Sequence, residues 1–258
     1  MIFTTAGRPT EALILEATRL SGQYNGTYIP RKKRSLKELI DTYRSPVIVA
    51  GFDRLFLYTD NALEPVFFHP NSAMFRCKSL LNNRHDVFIN ASGLTEGMSL
   101  LDCTAGLGSD SIVASLITGE KGNVQALEGS KHAILLQEGL KTWQSGNEQI
   151  DEAMRRVSVK QNRYEEVLPY LDDQSVDVVY FDPMFEDSIL ESNGVNAIKQ
   201  VALYDTLTDD MIREARRVAR KRVVLKDFWK SSRFERFGFQ QFIRKTAKFH
   251  YGILENKE

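Results

Sequence analysis

The stretch VDVVYFDPMFED, residues 176–187, has the residue types and order to do chemistry. Five of its first six residues are apolar or aromatic, as in a buried strand. The run then turns into Asp182-Pro183-Met184-Phe185. A carboxylate accepts hydrogen bonds and protons. Proline fixes its own φ, so the carbonyls beside it point in set directions. A phenylalanine ring can stack on a flat heterocycle. Asp182, the Pro183 backbone and Phe185 together could receive the exocyclic amine of a base. The two oxygen acceptors would take its hydrogen bonds and draw its lone pair out of conjugation with the ring. The plainer reading is a strand ended by proline beside a packed phenylalanine. This segment alone leaves both open.

A second candidate is LLDCTAGLGSDS, Leu100–Ser111, which reads as strand, tight turn and helix. Gly106 and Gly108 would let the chain turn sharply and a ligand approach the backbone. The following strand-like run, NVQALEG, ends in Glu128, about 20 residues on, where a carboxylate can hold both hydroxyls of a ribose. A tight turn that binds nothing is the alternative. No Gly-Lys-Ser/Thr follows, which excludes a triphosphate-binding loop. A dinucleotide fingerprint would place a third glycine where Ser111 stands, and Asp110 at the helix start would repel a pyrophosphate. S-adenosyl-L-methionine carries no phosphate, and its amino group and sulfonium are compatible with carboxylates such as Asp102 and Asp110. Charge therefore favours a methyl donor over NAD. Methyl transfer is an in-line displacement governed mainly by positioning, so it requires no metal.

Apolar strand-like runs alternate with helical patterns from about Asp86 onward: SLLDCTA, SDSIVASLIT, NVQALE, SKHAILLQEGLKTWQ with Ser130 as N-cap, EQIDEAMRR, VSVKQ, YEEVLPYL, VDVVYFD, DTLTDDMIREARRVA and RVVLKD. Such alternation predicts βαβ units in a doubly wound, mostly parallel sheet of α/β class. GFQQFIR and KFHYGILE read as a hairpin on one edge, completing seven strands. In such a sheet ligands bind outside the carboxyl ends of the strands. Asp102, Glu128, Gln161–Tyr164 and Asp182 all fall at such ends. Residues 1–85 read as a small α+β unit, possible for substrate recognition, and 86–258 as the catalytic domain. In the first unit a helix is expected from Pro9 to Leu20 with Leu13, Ala17 and Leu20 on one face. A second opens at Leu36 behind the capping box of Ser35 and Glu38, and a hairpin turns at Gly51–Arg54.

With 42% hydrophobic and 26% charged residues, the 258-residue chain has an ordinary globular composition. Lys+Arg and Asp+Glu both number 34, so any polyanionic partner must be held by local patches. The two cysteines, Cys77 and Cys103, cannot build a disulfide framework, and Cys103 reads as a packed small hydrophobe. The N-terminus lacks the pattern of a signal peptide, and no uncharged apolar run approaches the ~20 residues needed to span a bilayer. A cytoplasmic protein without membrane contact is the expectation.

LLDCTAGLGSDS, ALEGS, the Asp-Pro-Met-Phe tetrad, ARRVARKRVVLK and KFHYGI occur in the order and near the spacing of a known family. Over about residues 97–254 the chain resembles the small-subunit rRNA guanine-N2 methyltransferases of the RsmJ type, class I S-adenosylmethionine-dependent enzymes with a Rossmann-like fold. FFHPNSAMFR, residues 67–76, is loosely similar. The resemblance implies donor-binding positions at Ser109 and Asp110, at Glu128 and Gly129, at Arg163 and Tyr164, and at Asp182. It also implies an RNA partner. The chain departs from the family in having Ser109 for an arginine, and in having Glu186 and Asp187 after the tetrad where proline and basic residues are usual. Candidate phosphate contacts are RKKR at 31–34 and Arg213, Arg216, Arg217 and Arg220, which share one side of an assumed helix; a solvated helix face is the alternative. Lys226 ends its strand beside the same crevice. Methylation of another amine, in DNA or protein, and a non-catalytic donor- or RNA-binding module are the rival functions. Oligomeric state is not legible.

Overall fold

The computed structural model describes residues 1–59, 64–183 and 207–256. Chain contacts divide it into two compact units. The first comprises Met1–His69 with Ile134–Gly139, and the second Pro70–Ala133 with the described parts of Leu140–Glu191 and Leu203–Glu258.

In the first unit a five-stranded sheet is built from β1 (Ile2–Thr5), β2 (Thr27–Tyr28), β3 (Val47–Ala50), β4 (Leu55–Tyr58) and β5 (Val66–Phe67), in the order β2-β1-β3-β4-β5. β1 runs parallel to both neighbours, and the rest is antiparallel. Helix α1 (Glu11–Gln23) is capped by Thr10 and buries Leu13, Ala17 and Leu20, the face expected from periodicity. Helix α2 (Leu36–Tyr43) opens on the reciprocal Ser35–Glu38 capping box. The β3–β4 hairpin turns where expected, and a Cβ at Gly51 would lie 2.7 Å from the Arg54 carbonyl oxygen. β1 and β2 were not expected, because two- and four-residue strands leave no periodicity to read.

The second unit holds β6 (Ser99–Asp102), β7 (Asn123–Leu127), β8 (Ser158–Lys160), β9 (Val176–Phe181), β10 (Ala219–Phe228), β11 (Gln240–Phe242) and β12 (Phe249–Glu255). Their order is β11-β12-β10-β9-β6-β7-β8. β10, β9, β6, β7 and β8 are parallel, and β12 and β11 add antiparallel to the β10 edge, so this is the doubly wound sheet with its edge hairpin. Its helices are α3 (Asn71–Leu81), α4 (Val87–Ser92), α5 (Ser109–Thr118), the two ends of α6 (His132–Thr142), whose middle belongs to the first unit, α7 (Glu148–Arg156), α8 (Tyr164–Val167), α9 (Asp209–Val218) and α10 (Arg233–Arg236). Leu100, Leu101, Val178, Val179, Val223 and Val224 are all buried, as befits strands covered on both faces. The chain runs outward from β6 through β7 to β8 and returns on the other side of β6 as β9. The carboxyl ends of β6 and β9 therefore flank the switch point where such folds open a crevice.

One expectation is corrected here. Arg220 does not share a helix face with Arg213, Arg216 and Arg217. Helix α9 stops at Val218 and the chain passes directly into β10, whose pairing with β9 outweighs the helical pattern. Among the described residues no helix is long and apolar enough to cross a membrane.

Candidate active site

At the switch point the end of β6 is folded inward. Asp102 is buried; its Oδ1 accepts from the Thr104 N–H at 3.1 Å and its Oδ2 from the Ser111 hydroxyl at 2.5 Å. Burial pushes its carboxyl up to about 7, against the pull of the Ser111 hydrogen bond. Asp102 thereby ties the start of α5 to the end of its own strand.

The intervening turn carries Gly106 at φ +54° and Gly108 at φ +76°, a left-handed conformation that costs a side-chain-bearing residue. Glu128, at the end of β7, reaches this turn. Its Oε2 accepts from the Gly106 N–H at 2.9 Å and its Oε1 from the Ser130 N–H at 2.8 Å. A Cβ built on Gly106 meets nothing within 4 Å, so the turn borders open space rather than packed protein. Ser109 opens α5 and Gly129 follows Glu128, both half-buried beside this turn.

The end of β9 is joined to the end of β6 by Thr104, whose Oγ1 accepts from the Asp182 N–H at 2.6 Å. The Asp182 carboxylate is partly exposed, and its Oδ2 lies 2.5 Å from Lys226 Nζ on β10. Burial pushes Asp182 above the usual carboxylate range, against Lys226, with the Asp110 charge adding to the rise. Pro183 is buried directly after it. Phe185, Met184, Glu186 and Asp187 lie outside the described residues.

Lys226 also stands 3.6 Å from Asp110 Oδ2. Asp110 Oδ1 takes an Arg76 N–H at 2.5 Å, and Oδ2 accepts from the Tyr180 hydroxyl at 2.9 Å. Arg76 in turn forms a two-pronged pair with Asp86 at 2.7 and 2.9 Å. The charges thus alternate along Asp86, Arg76, Asp110, Lys226 and Asp182. Burial works against charge on Asp110, but Lys226 and Arg76 outweigh it and hold the carboxyl below its usual range. Burial likewise opposes the Lys226 ammonium, but Asp182 and Asp110 prevail and raise its pKa.

Of the residues singled out in the sequence, Asp102, Gly106, Gly108, Ser109, Asp110, Glu128, Gly129 and Asp182 gather around the ends of β6, β7 and β9. Asp110 points into the ion ladder rather than standing as a bare charge at a helix start. Tyr164 is packed in the core edge-on to Phe181, with ring centroids 5.3 Å apart. Arg163 precedes it, ion-paired to Glu165 at 2.7 Å. Cys103 is buried in the core with its thiol pushed well up by burial. Arg76, Asp86, Thr104 and Tyr180 were missed as site residues, although Arg76 ends the loosely similar FFHPNSAMFR segment.

Arg76 and Lys226 are set against Asp86, Asp102, Asp110, Glu128 and Asp182, so the crevice is acidic on balance. An open glycine turn, a ribose-range carboxylate and an acidic surround fit a cationic, phosphate-free nucleoside. The fold and site define a class I-type α/β crevice protein. Residues 40–242 match the SAM_MT family model, "Putative SAM-dependent methyltransferase". The chain belongs to this family of S-adenosylmethionine-dependent methyltransferases, and S-adenosyl-L-methionine is its cofactor.

Several relatives bear on the comparison. The chain is 44% identical to the uncharacterized protein YpiP of Bacillus subtilis over 98% of its own length and 99% of that protein. It is 31% identical to ribosomal RNA small subunit methyltransferase J of Shewanella amazonensis, over 55% of this chain and 58% of that one. For the same enzyme of Actinobacillus succinogenes the identity is 33% over 50% of each. The chain thus spans about half the length of these rRNA methyltransferases. Its fold superposes on the crystal structure of the SAM-dependent methyltransferase NGO1261 of Neisseria gonorrhoeae with a TM-score of 0.63 and 19% identity, covering 99% of this chain and 96% of that one.

Proposed function

We propose that this methyltransferase acts on an exocyclic amine of an RNA base, guanine N2 in small-subunit rRNA. One observation carries the reading. Asp182 and Pro183 directly follow β9 at the switch point, with Asp182 Oδ2 held by Lys226 and the Asp182 N–H held by Thr104. The partial similarity to ribosomal RNA small subunit methyltransferases J supports the substrate class.

Bound S-adenosyl-L-methionine supplies an electrophilic methyl group on its sulfonium. Glu128 and the Gly106–Gly108 turn would hold its nucleoside. With Oδ2 engaged by Lys226, Asp182 Oδ1 is the oxygen available to the incoming amine. The Pro183 carbonyl is a second acceptor. The amine would have to give up a proton on methylation, and the Asp182 carboxylate, held above the usual carboxylate range by burial, would be suited to take it.

The test is incorporation of labelled methyl from S-adenosyl-L-methionine into rRNA or small subunits from a strain deleted for this gene, followed by nucleoside mass spectrometry. N2-methylguanine is expected. Asp182→Ala should lower transfer by about a thousandfold or more and leave donor binding within a few fold. Label that appears only in DNA or protein, or full activity of Asp182→Ala, would sink the reading.

A further inference from the structure

We propose that the edge hairpin of the sheet is a docking surface for an unpaired RNA strand beside the nucleotide at Asp182, an inference that rests on the RNA reading above. Between Phe228 and Leu254 the chain carries Lys230, Arg233, Arg236, Arg244, Lys245 and Lys248 against the single acid Glu235, in a protein of zero formal charge. Asp227 takes Arg233 at 3.1 Å and Asp209 takes Arg236 at 2.5 Å. Among the described residues no ion pair holds Lys230, Arg244 or Lys245. Large apolar groups stand among these cations. Trp229 and Phe242 are each 44% exposed and Ile243 is 79% exposed. Lys230 Nζ lies 4.6 Å from the centre of the Trp229 ring.

The surface is pinned in shape. The Trp229 N–H donates to the Lys248 carbonyl at 3.0 Å, and the Gln241 amide donates to the Trp229 carbonyl at 2.8 Å. Buried His250 accepts the Arg244 N–H on Nε2 at 3.1 Å and holds the hairpin loop from beneath. Its position relative to the site follows from register. Phe242 pairs with Tyr251, Tyr251 pairs with Lys226, and Lys226 holds Asp182 beyond the next strand. Three strand spacings separate β11 from β9, roughly 14 Å, a distance that a few nucleotides cover.

The chemistry selects the occupant. Phosphates need unpaired cations, and base faces need exposed aromatic rings. A duplex hides its base faces, so aromatic stacking selects an unpaired strand. Lysine is depleted in protein–protein interfaces, which disfavours a protein partner here.

The experiment titrates the full chain into a fluorescein-labelled, unstructured RNA 12-mer and into a duplex of the same composition, by anisotropy at several salt concentrations. The wild type should prefer the single strand. Trp229→Ala with Phe242→Ala should weaken that binding by about tenfold or more. Arg244→Gln with Lys245→Gln should make the salt slope shallower by about 1.4. Both variants should remain folded by circular dichroism, with the double alanine variant melting a few degrees lower, and donor binding should stay at the wild-type value in both. Wild-type affinity and slope in both variants, or a wild-type preference for duplex, would overturn the proposal. So would a change of oligomeric state in the aromatic variant, which would mark a protein contact instead. Loss of RNA binding in the variants while no RNA accepts methyl from the wild type would keep the hairpin and remove only the proposed reaction.

Discussion

Asp102 and Asp182 end neighbouring parallel strands at one switch point, yet their surroundings assign them opposite work. Asp102 is buried with neutral hydrogen-bond donors on both oxygens, and its carboxyl is pushed up to about 7. Asp182 has a cation on one oxygen and 23% of its side chain exposed. The residue type and the place in the topology are the same; the difference lies in the partner supplied by the next element. Ser111, on the helix after β6, makes Asp102 a brace. Lys226, on the strand beside β9, holds one oxygen of Asp182, the arrangement that the proposed acceptor role requires. Thr104 sits between them, donating its N–H to one carboxylate and accepting the N–H of the other residue.

The sharpest way to break this contrast is to remove the ladder that keeps Lys226 turned to Asp182. Arg76→Met takes the guanidinium from Asp86 and Asp110, which are nearly enclosed; Asp110 keeps Lys226 and the Tyr180 hydroxyl, while Asp86 is left with the Phe88 and Ile89 N–H groups and no cation. Leaving a buried carboxylate unpaired costs about 3 kcal/mol or more. The sign follows from Asp110, whose pKa is depressed in the fold, so its contribution is present above the unfolded value and lost as pH falls. Urea denaturation should show the deficit at pH 7 and a smaller one near pH 4. A variant as stable as wild type at pH 7 would mean the ladder separates nothing.

Lys226→Met acts on Asp182 alone of the two aspartates in contrast. Transfer should fall roughly 10- to 100-fold, the range of a positioned acid–base group. Removing the cation disfavours the carboxylate, so Asp182 titrates higher still and the acid limb of the rate profile should move to higher pH. Lys226→Arg should restore part of the rate and return the limb toward its original place. A uniform loss at all pH values would assign Lys226 to packing.

Much of this frame was readable before any coordinates. Continuous Val/Leu runs marked β6, β9 and β10, and the glycine turn and Glu128, expected to share a site, are joined by the Gly106 N–H. What escaped depended on contacts across the chain. Arg76 and Asp110 are 34 positions apart, and nothing local couples them. Arg220 follows a helical pattern in sequence but pairs in a strand, because the sheet edge at β9 offers hydrogen bonds that a last helical turn cannot. Tyr164 has the polar tip of a binding residue, while its ring fills the space against Phe181. The apolar residues of the edge hairpin looked like ordinary strand residues until pairing showed which of them face water.

Asp102→Asn tests the other half of the contrast at a smaller magnitude. The amide keeps an acceptor for Thr104 and gains a donor for Ser111. An acid whose pKa is raised to about 7 stabilises the fold when protonated, and that contribution declines as pH rises from its unfolded value through 7. Between pH 5 and pH 8 the wild type should therefore lose about 3 kcal/mol relative to the variant. Parallel stability curves for the two proteins would show that Asp102 ionises freely and is no brace.

The smallest change separates the turn from both aspartates. Gly106→Ala keeps every hydrogen bond to Glu128, since that contact uses the backbone N–H. At φ +54° an alanine costs about 1 kcal/mol of backbone strain, and the added methyl meets no protein atom within 4 Å. The stability loss should therefore stay near that figure. The methyl instead enters the open side of the turn, where the proposed function puts the nucleoside of the donor. Calorimetric titration should then show S-adenosyl-L-methionine binding weakened about tenfold or more, while Asp102 and Asp182 keep their partners. Wild-type donor affinity in this variant would move the nucleoside away from the turn, and Glu128 would be left as a brace for the loop in the same sense as Asp102.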